Sequence, residues 1–369
     1  MKLNLFDNIK GVDESKYHPK YLFIKNDPQM CYIRQMLVDW TEGFVDRDGK
    51  IVREFQETFH SSFWEIYLYK LLTSAGYKLD QTHPMPDFII NYPFEIYIEA
   101  VIANIKKTGR KEEERTLNDQ LSMFTPPHLQ KDFYELLDNA ILRYSNSINY
   151  KHNKLLKEYN NLEWINTQNP FVFAFASFDD VNYGREYIYP MLALLYGMYF
   201  DPNKNIFIPK EYIIKPETGA KIPIGLFKDK KYNNISAIIF TCSLTLGKLV
   251  ALSISNKNPS LNKVYSLHEN TQTNTYQLKR VGKDDDERLA EGIFIFHNPN
   301  AINKLPDNFF NNVEITNFFY ENNGIDISGN YTPLISRINT SFPLNEYIEP
   351  IIYEKIREYN RMAKEEFYE

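Results

Sequence analysis

From about residue 60 onward, helical and strand patterns alternate along the chain, which predicts an α/β (α+β) fold with a mixed central sheet flanked by helices. Two stretches carry this reading. Residues 170–176, PFVFAFA, form a continuously apolar run of the kind found in a strand buried on both faces. Residues 63–75 read as a helix stopped by Gly76 and lead into two short strands, 87–91 and 94–101, around the turn Asn91-Tyr92-Pro93. The other elements follow in order. A helix is expected near residues 30–40, and a charged surface segment at 110–118. A long helical pattern covers 129–159, and a helix at 186–198 is interrupted by Pro190. Residues 235–255 read as two strands around a Leu246-Gly247 turn. A further strand is expected at 292–296 and a C-terminal helix at 346–366. This divides the chain into an N-terminal helical or irregular segment (1–54), an α/β core (55–305) and a C-terminal helical extension (306–369).

Composition narrows the class. Of 369 residues, 43% are hydrophobic and 24% charged, an ordinary globular balance, and 27 Tyr with 26 Phe supply a large aromatic core. Cys31 and Cys242 lie far apart, with no C-x-x-C pair and no disulfide framework, so a reducing cytoplasm is the expected compartment. The first residues lack the apolar core of a signal peptide. The apolar run 187–200 is too short to span a bilayer, so no membrane partner is expected. The net charge of −6 runs against a nucleic-acid binder taken as a whole, and places any phosphate contacts in local clusters. Those clusters are Lys106, Lys107, Arg110 and Lys111, then Lys151, Lys154 and Lys157, then Lys228, Lys230 and Lys231; each also reads as a solvated charged face.

The chemistry concentrates between residues 61 and 101. If the hairpin turn centres on Pro93, paired residue numbers sum to a constant and Asp87 stands opposite Glu99, on one face and about 5 Å apart. Two carboxylates that close repel unless one is protonated or a cation lies between them. Mg²⁺ takes oxygen ligands and commonly uses one or two carboxylates. Glu65 on the preceding helix is a third acidic group, although Ser62-Phe63-Trp64-Glu65 also fits an S-x-x-E capping box. Other catalytic signatures are missing. Glu57-Thr58-Phe59-His60 is not H-E-x-x-H, Gly247-Lys248 lacks the upstream glycine of a P-loop, and no G-x-S-x-G or G-x-G-x-x-G occurs.

Trp64-Glu65-Ile66-Tyr67-Leu68, Pro86-Asp87-Phe88 and Ile98-Glu99-Ala100 together resemble the PD-(D/E)XK nuclease superfamily, with its restriction-endonuclease-like fold, and in particular an uncharacterised bacterial branch of it. The similarity extends over about residues 55–305. It implies a Mg²⁺-dependent (or Mn²⁺-dependent) nuclease that acts on DNA in preference to RNA, works in the cytoplasm and forms a homodimer. Asp87, Glu99, the Ala100 carbonyl and Glu65 would be the metal ligands. The family places a lysine two residues after the glutamate, where this chain has Val101. In the long helix, Ile141, Tyr144, Ile148 and Leu155 form an apolar stripe that Lys151 completes, so Lys151 is the first choice for a relocated lysine, with Lys106 and Lys107 behind it. The alternative is a nuclease-fold protein without catalysis that binds nucleic acid or a protein partner.

Overall fold

The computed structural model describes residues 2–9, 13–105, 109–178, 180–181, 184–310, 315–341 and 344–366. Helices α1 (Pro19–Asn26), α2 (Cys31–Trp40), α3 (Ile51–Glu57) and α4 (His60–Ser74) come first. Then follow β1 (Lys78–Asp80), β2 (Phe88–Tyr92), β3 (Ile96–Asn104), α5 (Leu117–Ser122), α6 (Phe133–Lys157), β4 (Phe171–Phe178) and α7 (Tyr189–Tyr196). Two small hairpins, β5 (Met198–Asp201) with β6 (Ile206–Pro209) and β7 (Tyr212–Ile214) with β8 (Lys221–Pro223), precede β9 (Ala237–Thr241) and α8 (Leu246–Ser255). The chain closes with β10 (Lys263–Asn270), β11 (Thr275–Arg280), β12 (Phe294–His297), β13 (Thr316–Glu321), β14 (Gly324–Gly329), β15 (Leu334–Thr340) and α9 (Leu344–Glu366).

The centre is one mixed sheet of eight strands in the order β1-β2-β3-β4-β9-β12-β13-β14. β2 runs antiparallel to β3, while β3, β4 and β9 are mutually parallel. Alternation on these strands divides the core in two. Tyr97, Val101, Phe173, Phe175 and Phe240 face α6 and α7, whereas Ile98, Val172, Ala174 and Ile239 face α2, α4 and α8. A second sheet, β11-β10-β15, packs beside α8 and α9. Among the described residues, no helix is long and apolar enough to cross a membrane.

Three expectations are corrected. Residues 246–255 form a helix, not the second strand of a hairpin. Thr245 caps it by accepting from the Lys248 amide, and its residues 247–254 are all buried, so no one-sided pattern distinguishes it from a strand. The segment after residue 306 is more than a helical extension, because β13 and β14 complete the main sheet and β15 joins the second. The capping role for Glu65 falls away. α4 already begins at His60, after Phe59 with φ of 51°, and Glu65 lies in the second turn. The N-terminal segment shares the core of the rest, with Ile33, Leu37 and Ile51 packed into the layer that holds Trp64 and Tyr67.

α4 is pinned to the sheet by one buried bond, from the Trp64 indole N–H to the Ala174 carbonyl at 2.8 Å. Replacing Trp64 with Phe keeps the aromatic body and removes the donor. The expected loss is about 1–2 kcal/mol of folding stability, read as a lower urea midpoint with an unchanged slope.

Candidate active site

The hairpin of β2 and β3 positions the first two carboxylates. Its register pairs Phe88 with Ile98 and Ile90 with Ile96, the constant sum expected from a turn centred on Pro93. Asp87, just before β2, therefore comes to the same face as Glu99, the face covered by α6. β2 begins only at Phe88, opposite Ile98, so the rest of β3 has β4 on one side and an open edge on the other. Side chains fill that edge in place of a strand. The Ala100 amide donates to Asp87 Oδ2 at 2.7 Å, and Ser147 and Arg143 of α6 donate to the carbonyls of Ile102 and Asn104. Because the N–H and C=O of one strand residue point the same way, the Ala100 carbonyl also faces this edge.

Glu99 is 1% exposed, which requires a partner. Lys151 provides it, with Nζ at 2.5 Å from Oε1, and Lys154 Nζ lies 3.9 Å from the same oxygen. α6 runs unbroken through Lys157, so Lys151 does stand on the stripe formed by Ile141, Tyr144, Ile148 and Leu155. The second oxygen, Glu99 Oε2, is buried, and the Tyr159 hydroxyl lies against this carboxylate; burial and that charge together raise the phenol's pKa. Glu65 arrives from the opposite side of the sheet on α4 and meets Asp87, Ala100 and Lys151 in a cleft of about 200 Å³. Ser61, Ser147 and the 70%-exposed Tyr150 complete its rim. Arg47 ties down the loop before β2 through the carbonyls of His83, Pro86 and Asp87.

The electrostatics follow from crowding. Burial, reinforced by Glu99, pushes the Asp87 carboxyl up to about 7 against the opposing pull of Lys151 and the Ala100 amide. Burial and the neighbouring Asp87 likewise hold the Glu65 carboxyl well above the usual range. For Lys151, burial alone would lower the ammonium, but Glu99 and Asp87 outweigh it and raise it, so the lysine stays charged.

The donors suit a hard cation. Asp87, Glu65 and Ala100 line the cleft and offer oxygen ligands, and Glu99 lies behind them, held by Lys151. As they stand, no three His, Cys, Asp or Glu side chains among the described residues are gathered tightly enough to hold a metal. The fit therefore rests on the Asp87–Glu99 pair, with waters and phosphate completing the shell, and Glu65 in reserve.

Of the basic residues proposed for nucleic-acid contact, Lys154 stands beside the cleft. Arg110 is engaged by Asp119 and the Glu114 carbonyl, and Lys111 lines a different cavity. Lys106 and Lys107 lie outside the described residues. The loop at 228–234 joins the α6 side of the site through Tyr232 Oη to Asn149 Oδ1 at 2.6 Å and Asn234 Oδ1 to His152 at 2.9 Å, which brings the third lysine cluster toward the second.

The raised Asp87 carboxyl has a stability consequence. The folded chain holds a proton there that the unfolded chain releases near pH 4, so folding stability falls as pH rises from about 4 to about 7. Asp87→Asn keeps an acceptor for the Ala100 amide and removes the charge. It is expected to flatten that slope and to raise stability by about 1–2 kcal/mol at about pH 8 without added metal, read from urea midpoints at about pH 5 and pH 8.

No family model matches the chain, and no curated protein or solved structure does so either.

Proposed function

We propose that this protein is a Mg²⁺-dependent nuclease that hydrolyses phosphodiester bonds, with DNA favoured over RNA by its resemblance to the PD-(D/E)XK superfamily and its restriction-endonuclease-like core. The observation that carries this reading is the contact of Lys151 with Glu99. Val101 stands where that superfamily has its lysine, and Val101 is buried on the α6 side. Lys151 reaches the same face from α6, so the ammonium lies beside the carboxylate pair in spite of the substitution.

Each side chain then has a role. Asp87 and Glu99 would hold Mg²⁺, with the Ala100 carbonyl and Glu65 as further oxygens. When bound, the ion would polarise the phosphate and acidify a water. Lys151, kept protonated by its acidic neighbours, donates hydrogen bonds to the attacking water or to a non-bridging phosphate oxygen as negative charge builds there. The water oxygen forms the new bond to phosphorus and releases a proton to solvent, the bond to one sugar oxygen breaks, and that oxygen takes up a proton from solvent. Lys154, Lys157 and the lysines at 228–231 supply the flanking phosphate contacts. A binding protein without catalysis is the second reading. What favours it is that Lys151 already neutralises Glu99 and that, among the described residues, no three ligands are pre-gathered.

The two readings part on a simple assay. The nuclease is expected to cut plasmid or linear DNA with Mg²⁺ or Mn²⁺ and not with EDTA. Glu99→Gln is expected to abolish cutting and Lys151→Gln to slow it by roughly 100-fold or more, with both variants folded. Independently of turnover, Mg²⁺ should raise the thermal midpoint of the wild type more at about pH 8 than at about pH 5, where protons compete, and should leave Asp87→Asn unmoved. Wild type that neither cuts nor responds to Mg²⁺, yet binds DNA in a salt-dependent way, would establish the binding protein instead.

A further inference from the structure

Residues 41–50 join α2 to α3 and supply none of the side chains that line the carboxylate cleft. They are nevertheless bonded to both parts of the chain that bring Glu65 and Asp87 together. Tyr69 stands one turn beyond Glu65 on α4, and its hydroxyl donates to the Glu42 carbonyl at 3.0 Å. The Phe44 ring packs edge-on against Tyr69, with centroids 5.1 Å apart. Gly43, at φ of 82°, lies so close that a β-carbon would come within 2.8 Å of the same hydroxyl. The far end of the strap is fixed where the Asp46 carboxylate accepts from the Lys50 and Ile51 amides, at the start of α3.

The same strap grips the segment before Asp87. Gln81 accepts from the Val45 amide at 2.9 Å and donates to the Gly43 carbonyl at 3.0 Å. Arg47 reaches further along. Its Nη1 donates to the carbonyls of His83 at 2.5 Å and Pro86 at 3.2 Å, and its Nη2 to that of Asp87 at 3.0 Å. Trp164 adds a second hold: its indole N–H donates to the Met85 carbonyl at 2.8 Å, and its ring stacks on His83 with centroids 4.7 Å apart. β1 ends at Asp80 and β2 begins at Phe88, so these carbonyls lie between strands and depend on side chains for their partners.

A planar guanidinium with five donors in a fixed fork can hold three carbonyls at once, which an ammonium or a single amide cannot. One of the three belongs to Asp87 itself, whose carboxylate accepts from the Ala100 amide at 2.7 Å. Arg47 also brings charge to the site. Burial is the largest force raising the Asp87 and Glu65 carboxyls, and the Arg47 charge opposes it at both.

We propose that Arg47 is a positioning residue for the divalent-cation site. It fixes residues 83–87 to the strap that Tyr69 ties to α4, and so sets where the Asp87 carboxylate stands relative to Ala100 and Glu65. The proposal rests on the metal-dependent nuclease reading. It also gives the N-terminal segment a part in the chemistry, beyond its share of the core.

The test compares the full-length wild type with Arg47→Gln and Arg47→Lys. The first readout needs no metal: hydrogen exchange of the Ala100 amide in EDTA. Arg47→Gln is expected to speed it roughly tenfold, with the amides of β4 unchanged, because Asp87 no longer stays in place to accept from it. The second is the Mg²⁺ concentration that gives half-maximal DNA cleavage. It is expected to rise roughly tenfold in Arg47→Gln, with a smaller change in the rate at saturating Mg²⁺. Arg47→Lys, which keeps the charge but not the fork, is expected to give roughly threefold changes in both, and carries the test if Arg47→Gln fails to fold. Ala100 exchange and Mg²⁺ requirement both at wild-type values in a folded variant overturn the proposal. Faster exchange with an unchanged Mg²⁺ requirement overturns it too, since Arg47 would then only anchor a loop. Both of these outcomes leave a wild type that cuts. A wild type that neither cuts nor responds to Mg²⁺ overturns the nuclease reading itself, and this proposal with it.

Discussion

The contact between Lys151 and Glu99 organises the site. A carboxylate that is almost wholly buried in the third strand of a sheet cannot stand alone, and a lysine on an apolar helical stripe cannot either. Each resolves the other's cost, and the pair draws Asp87 and Glu65 into the same small cleft. A buried ion pair of this kind is weak evidence for stability, since desolvation offsets much of the attraction. Its retention beside a cleft that also gathers Asp87 and Glu65 fits a site organised for a ligand better than one organised for strength.

The open edge of β3 matters as much as the charges. Because β2 stops opposite Ile98, backbone groups that a neighbouring strand would have consumed are left facing the cleft. Asp87, Ser147 and Arg143 satisfy several of them. The same edge leads onward to Asn104, which lines the separate cavity that Lys111 also borders.

Much of this was legible in the sequence, for identifiable reasons. A period-two pattern around Pro93 fixes both the register and the shared face of Asp87 and Glu99, because a one-residue slip would have placed Ile96 and Ile98 on the wrong layer. The spacing of Ile141, Tyr144, Ile148 and Leu155 shows where Lys151 points. Other features left no such trace. α8 is buried on all sides and therefore has no polar face to betray its period. The S-x-x-E pattern before Glu65 fits a cap, but packing starts the helix earlier, at His60. β13 and β14 join the sheet through pairing with β12 that no local pattern announces. The cavity that Lys111 lines draws residues from His18 to Asn339, so no local stretch of sequence announces it.

A lysine carried on the same strand as its glutamate keeps its distance by covalent geometry. Here the distance is set by the thickness of a packed layer. Tyr144 lies 4.9 Å from the Phe175 ring and 5.7 Å from that of Phe240, and these aromatic contacts, with Ile148 and Leu155, hold α6 at its height above the sheet. The ammonium and the carboxylate are thus spaced by a hydrocarbon gauge. Side chains remote from the cleft set the gap between the charges, and trimming one aromatic ring in that layer shifts it as directly as changing a residue within the cleft.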